Sequence, residues 1–144
     1  MTTISRSALV PYSAAKMFAL VDDIPRYPEF LPWCTEARER SRTEEEVEAT
    51  LALSKAGIEK TFTTRNRLHP HKMIKMRLVE GPFKHLEGYW RFQTLDDEAC
   101  KVSLDIEFEF TSRLLSATLG PVFSQICNSL VDSFMKRAGD LYGR

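Results

Sequence analysis

The sequence predicts an α+β domain in which a curved antiparallel β-sheet wraps around a long C-terminal α-helix, with two short helices after the first strand. Three observations carry this. From residue 45 to 110, apolar and polar side chains alternate in short runs separated by glycine, proline and aspartate. That is the period-two pattern of strands with one dry and one wet face. Residues 116–142 change to apolar steps of three and four, the period of an amphipathic helix roughly 35–40 Å long. Pro25, Pro28 and Pro32 lie ahead of the strands and exclude a long helix there. A sheet with one apolar face must cover it, and the terminal helix is the only long apolar element left to do so. At 144 residues the chain reads as a single domain, residues 1–144, with a core of its own.

Taken in order, residues 3–10 are rich in Ile, Val, Thr and Ser and stop at Pro11, as a strand with a breaker behind it. Ser13 stands where an N-cap would, before a helix whose Met17, Phe18, Leu20 and Val21 share a face and which Asp22 and Asp23 end. Pro25 opens a second short turn. Phe30, Leu31 and Trp33 then sit on a proline-stiffened backbone that loses less entropy on ordering. They either plug one end of the core or form the mouth of an apolar cavity.

The strands follow. Val47, Ala49, Leu51 and Leu53 share one side of residues 45–53, and Gly57 turns the chain into residues 58–68. His69, Pro70 and His71 turn it again into residues 73–79, where Ile74, Met76 and Leu78 alternate with Lys75 and Arg77. After Gly81 and Pro82, residues 85–95 place Leu86, Gly88, Trp90 and Phe92 together. Asp96 and Asp97 lead into residues 101–110, with Val102, Leu104, Ile106, Phe108 and Phe110 opposite Ser103, Asp105, Glu107 and Glu109. On the terminal helix the apolar arc runs from Val122 through Phe123, Ile126, Cys127, Leu130, Val131, Phe134, Met135 and Ala138 to Leu141 and Tyr142. Lys136 and Arg137 are expected to stay wet, and Gly120 with Pro121 to kink the helix so that its straight portion begins at Val122.

Composition narrows function. Hydrophobic residues at 43% and charged residues at 28% are ordinary for a soluble domain. No run approaches 18 consecutive apolar residues and no signal-peptide core follows Met1, so the cytoplasm is the expected address. Three cysteines without a C-x-x-C pair fit reduced thiols, and Cys34 and Cys127 lie in apolar contexts where a thiol is inert. Twenty basic residues balance twenty acidic ones, so whole-molecule attraction to nucleic acid is not predicted, and DNA is not an expected partner. No catalytic constellation and no metal site is expected, because the three histidines are scattered and neither a nucleophile elbow nor a phosphate loop is present. Asp105, Glu107 and Glu109 read as a solvated face, whereas His85 or Glu87 could reach a cavity rim.

Two constellations remain. Trp90, Phe92, Phe108 and Phe110 from the sheet, Phe123, Cys127, Leu130 and Phe134 from the helix, and Phe30, Leu31, Trp33 and Phe83 near the mouth are either a packed core or the walls of an apolar cavity. A continuous tunnel open near Trp33 and Phe83 would favour a carrier, and a solid core would favour recognition at the surface. Outside, Arg65 and Arg67 on one strand and Lys75 and Arg77 on the next form a basic patch if the strands pair, with Arg38, Arg40 and Arg42 on one face of an earlier strand. The patch is either a solvated face neutralised by Glu44, Glu45, Glu46 and Glu48 or a phosphate-binding surface.

PYSAAKMFALVDDIPRYPEFLPWC at residues 11–34, EGPFKHLEGYWRF at 80–92, LDIEFEFTSRLL at 104–115 and GPVFSQICNSLVDSFMKRAGDLYG at 120–143 resemble the coenzyme Q-binding START-domain family. Its bacterial members are also described as ribosome-association toxins of the RatA type. The resemblance spans essentially the whole chain and implies the helix-grip fold of lipid-transfer domains and polyketide cyclases. It implies a non-enzymatic protein with no intrinsic cofactor that binds ubiquinone or a related polyprenyl lipid between helix and sheet. Such a carrier would support respiration and touch the inner membrane peripherally to exchange its ligand, with His85 or Glu87 bonding a quinone carbonyl. The toxin description implies instead an association with the large ribosomal subunit that blocks subunit joining. A cyclase or dehydrase is the third reading.

Overall fold

The computed structural model describes residues 1–143. Its elements are β1 (Thr2–Val10), α1 (Ala14–Asp22), a 3-10 helix (Ile24–Glu29), β2 (Cys34–Arg42), β3 (Glu46–Lys55), β4 (Ile58–His69), β5 (Met73–Glu80), β6 (Phe83–Asp96), β7 (Ala99–Phe110) and α2 (Arg113–Tyr142). All strands join one antiparallel sheet in the order β1-β7-β6-β5-β4-β3-β2. Strands β2 to β7 form a simple meander. β1 closes the far edge by pairing Thr2 with Phe108 and Val10 with Cys100, so α1 and the 3-10 helix must carry the chain from one sheet edge to the other. The architecture is the expected helix-grip: the sheet curves around α2, whose Leu119, Phe123, Ile126, Cys127, Val131, Phe134 and Ala138 are buried against it.

Local chemistry explains the boundaries. Ser13 Oγ accepts the Lys16 N–H and starts α1 as expected. Ser112 does the same for α2 by accepting the Leu115 N–H, so the helix begins three residues ahead of the expected start. It stays helical through Gly120 and Pro121, the residues expected to kink it. Pro121 removes the N–H that would bond the Ala117 carbonyl, but both residues are exposed and water can satisfy that oxygen. At the other end Gly143, at φ 71°, donates its N–H to the Gly139 carbonyl in a left-handed cap. Leu141, placed on the inward arc by periodicity, is 51% exposed; Tyr142 takes the inward position, packing on Tyr12 and donating to the Lys16 carbonyl.

The alternation in β7 is read out residue by residue, since Val102, Leu104, Ile106, Phe108 and Phe110 are all buried. A two-residue turn, Ala56 and Gly57 with φ of 53° and 81°, joins β3 to β4 and fixes their register at Lys55 opposite Ile58. β2 departs from expectation. A register shift between Glu39 and Ser41 carries Arg42 off the face that Arg38 occupies, and its guanidinium binds Glu39 and the Asp22 carboxylate at the end of α1.

Candidate functional site

Between α2 and the sheet lies a cavity of about 70 Å³. Its floor is Ala49 and Leu51 of β3, Phe62, Thr64 and Asn66 of β4, Met76 of β5, Leu86, Gly88 and Trp90 of β6, and Ile106 of β7. Phe123, Ile126, Cys127, Leu130 and Phe134 roof it from α2, and Ile24, Tyr27 and Trp33 close one end. Gly88 is needed for this packing: a Cβ there would lie 2.9 Å from Met76 Cε and 3.3 Å from both Ile106 Cγ1 and the Asp105 carbonyl. The volume is about half that of an engineered cavity of ~150 Å³ that admits benzene. A substituted ring carrying a long hydrocarbon tail exceeds that space.

The expected lining divides in two. Trp33, Trp90, Phe123, Cys127, Leu130 and Phe134 border the cavity. Phe30, Leu31, Phe83, Phe92, Phe108 and Phe110 do not, because other side chains already fill the space beside them. Phe83 stacks on Phe110 at 4.9 Å and meets Phe123 at 4.9 Å, with Phe108 edge-on at 6.3 Å, so the far end is solid. Phe92 packs against Phe18 of α1, and Phe30 lies edge-on to Phe134. Leu31 is 1% exposed in the core. Among the described residues, the cavity lining does not reach Phe83.

The walls also hold polar groups that the alternation pattern obscured. Thr64 Oγ1 donates to Asn66 Oδ1 at 2.9 Å, and both residues are buried. Among the described residues, the buried Trp33 Nε1 has no hydrogen-bond acceptor. Tyr27 donates its hydroxyl to the Val21 carbonyl, and burial, reinforced by Asp22, keeps the phenol protonated well above the usual tyrosine range. Among the described residues, the lining is apolar apart from Thr64, Asn66, the Tyr27 hydroxyl and the Trp33 ring N–H.

Arg137, expected wet, is drawn in. The 3-10 segment folds over α2, and Arg137 pairs with Glu29 at 2.6 Å and lies 4.9 Å above the Phe30 ring, its side chain 15% exposed. The Arg137 hydrogen bond holds the Glu29 carboxyl below its usual value.

All three cysteines are buried and free. Burial pushes Cys34 up to about 11 and Cys127 up to about 12. Thiols raised in the folded state stabilise it fully below the unfolded value of about 8.5, and that contribution is lost as pH rises toward the folded values. Stability should therefore decline above about pH 8.5, measured by urea titration across the alkaline range. A Cys34→Ser, Cys127→Ala variant should show a smaller decline; an equal one would place its origin elsewhere.

The outer face carries the charges. His85 and Glu87 lie there, not at the cavity rim, since Leu86 and Gly88 take the inward positions. His85 Nε2 bonds Glu107 Oε1 at 3.0 Å, and Tyr89 donates to Glu87. Their ligand atoms and those of Glu107 fall within 4.8 Å of one another, a grouping compatible with a cation, with Lys75 Nζ 3.9 Å from Glu87 as a resident countercharge. Arg65, Arg67, Lys75 and Arg77 do come together, lining one outer groove with Glu46, Leu78 and Val79.

Residues 10–135 match the family described as polyketide cyclase/dehydrase and lipid transport. The chain is 47% identical over 142 residues to the ribosome association toxin RatA of Pseudomonas aeruginosa, covering 99% of each protein. It is 27% identical over 144 residues to a mitochondrial coenzyme Q-binding protein COQ10 homolog of Xenopus laevis, covering 97% of this chain and 59% of that one. In fold it is similar to the crystal structure of the Zhui aromatase/cyclase from Streptomyces sp. R1128, with a TM-score of 0.85 at 20% identity over 95% of this chain and 93% of that one. Fold, matched span and full-length relatives agree: the chain belongs to the polyketide cyclase/dehydrase and lipid-transport family, alongside relatives named as ribosome-association toxins.

Proposed function

We propose that this chain is a non-enzymatic ribosome-association protein that binds the large ribosomal subunit and hinders subunit joining in the cytoplasm. The observation that carries this is the 47% identity to a ribosome association toxin over 99% of both chains. The cavity supports it from the other side, because about 70 Å³ of nearly filled space is a poor berth for a polyprenyl quinone. The absence of carboxylates and histidines from its described lining supports a binding role over a cyclase-like one, which would need an acid or base beside the substrate. Added to a bacterial extract and run on low-salt sucrose gradients, the protein should raise the free-subunit peaks at the expense of joined ribosomes. Unchanged profiles would sink this reading.

The ubiquinone reading stands second. The coenzyme Q-binding name of the Xenopus relative supports it, as does the unpartnered Trp33 Nε1 donor in an apolar wall. It requires the 3-10 segment or α2 to swing outward, and membrane contact for exchange belongs to this reading alone. Solvent extraction and mass spectrometry of protein isolated from its host test it, with no recoverable or bindable quinone as the result that counts against it.

A further inference from the structure

We infer that the outer face of β4 and β5 is a lane for one strand of ribosomal RNA backbone, with Arg65, Arg67, Lys75 and Arg77 as its phosphate contacts; this rests on the ribosomal reading above. The strand register places Arg65 directly opposite Arg77 and Arg67 directly opposite Lys75. Like charges facing each other across paired strands destabilise a sheet, and the carboxylates opposite Arg65, Arg67 and Arg77 on the outer neighbours, Glu48, Glu46 and Glu87, offset that cost only in part. Its internal neutralisation is incomplete. Arg65 is held by Glu48 at 2.9 Å and Glu46 at 3.5 Å, and Lys75 reaches Glu87 only at 3.9 Å. Among the described residues, Arg67 and Arg77 have no ion pair and both are exposed. Two guanidinium forks thus stand free on rigid strands, where planar donors suit phosphate oxygens.

The flanks select the occupant. Carboxylates border the cations on both sides, Glu46 and Glu48 on β3 and Glu87, Glu107 and Asp105 on β6 and β7. A broad anionic surface such as a lipid headgroup layer would press on those rows and be repelled. A single polyanionic strand running along the lane meets the four cations and, among the described residues lining the groove, Glu46 as its one carboxylate. The lane is two strands wide, about 4.8 Å between strands, with charges about 6.6 Å apart along each, close to the stride of successive phosphates.

Binding to purified bacterial large subunits, to deproteinised large-subunit rRNA and to phosphatidylglycerol vesicles tests this across salt concentration. With about four phosphate contacts, affinity for subunits and for rRNA should fall roughly 50- to 150-fold between 50 and 200 mM salt. Arg67→Gln with Arg77→Gln should weaken both roughly tenfold or more and cut the log–log salt slope by about 1.4 to 1.8, at unchanged thermal stability. Arg38→Gln with Arg40→Gln, the same charge change on β2, should leave the slope nearly unchanged. If wild type binds subunits but the β4–β5 variant matches it, or the β2 variant loses as much, the lane is wrong and the ribosomal reading survives. Binding to subunits but not rRNA would assign the contact to a ribosomal protein, and preference for vesicles would assign it to lipid; either overturns the inference. Failure of wild type to bind subunits at all removes the reading on which it rests.

Discussion

Phe134→Ala is expected to lower the unfolding free energy by about 3–5 kcal/mol, the cost of truncating a fully buried phenylalanine whose surroundings relax only in part. The side chain is 1% exposed and sits where α2 meets two other elements. Its ring lies edge-on to Tyr27 at 5.5 Å and Phe30 at 5.2 Å in the 3-10 segment, and to Trp90 of β6 at 5.2 Å. Each such aromatic pair contributes about 0.5–1.5 kcal/mol beyond area burial, and two separate stretches of backbone, the 3-10 segment and β6, hold the partners apart after truncation. The vacated space also merges with the existing cavity, so the void grows instead of closing. Urea denaturation monitored by tryptophan fluorescence measures the loss, and a change below about 1 kcal/mol would place this face of α2 outside the core. Phe134→Asp, which buries a charge with no cation bordering the cavity, should prevent folding.

Gly88→Val should destabilise by about 1–3 kcal/mol through overpacking. Met76 Cε can swing away from the new side chain, but the Asp105 carbonyl belongs to the paired strand and Ile106 is fixed in the core, so neither yields freely. The variant occupies the cavity without touching the outer face. A protein that still shifts subunit profiles with Gly88→Val, yet no longer takes up quinone, would separate the two proposed activities. Loss of ribosome association in a folded variant would instead tie that association to the cavity.

What was legible in the chain depended on whether a local pattern carried the information. Period-two alternation assigns a face to each strand residue, which is why Val102 to Phe110 are placed correctly one by one. It does not say whether a ring meets empty space or another ring. Of the two readings the sequence leaves for Phe83, Phe108 and Phe110, packed core or cavity wall, their ring-to-ring contacts match the packed one. The same pattern contained Thr64 and Asn66, inward between Phe62 and Leu68, but Asn66 between two arginines reads as a polar spacer until the strand's facing is fixed. Arg137 escaped because its burial comes from a segment 108 residues away folding over it. Pro121 is accommodated inside α2 because the carbonyl it leaves without a partner, on exposed Ala117, faces water.

The pairing of β1 with β7 has a consequence during synthesis. Thr2 must find Phe108 and Val10 must find Cys100, whereas every other ladder joins neighbours in the chain. The first strand of this sheet to be synthesised is therefore the last able to pair, and it waits with open hydrogen-bonding groups while the meander zips up behind it. Its own sequence limits the hazard of waiting: Ser5, Arg6 and Ser7 interrupt the apolar positions at its centre, which discourages adventitious strand pairing before its proper neighbour emerges.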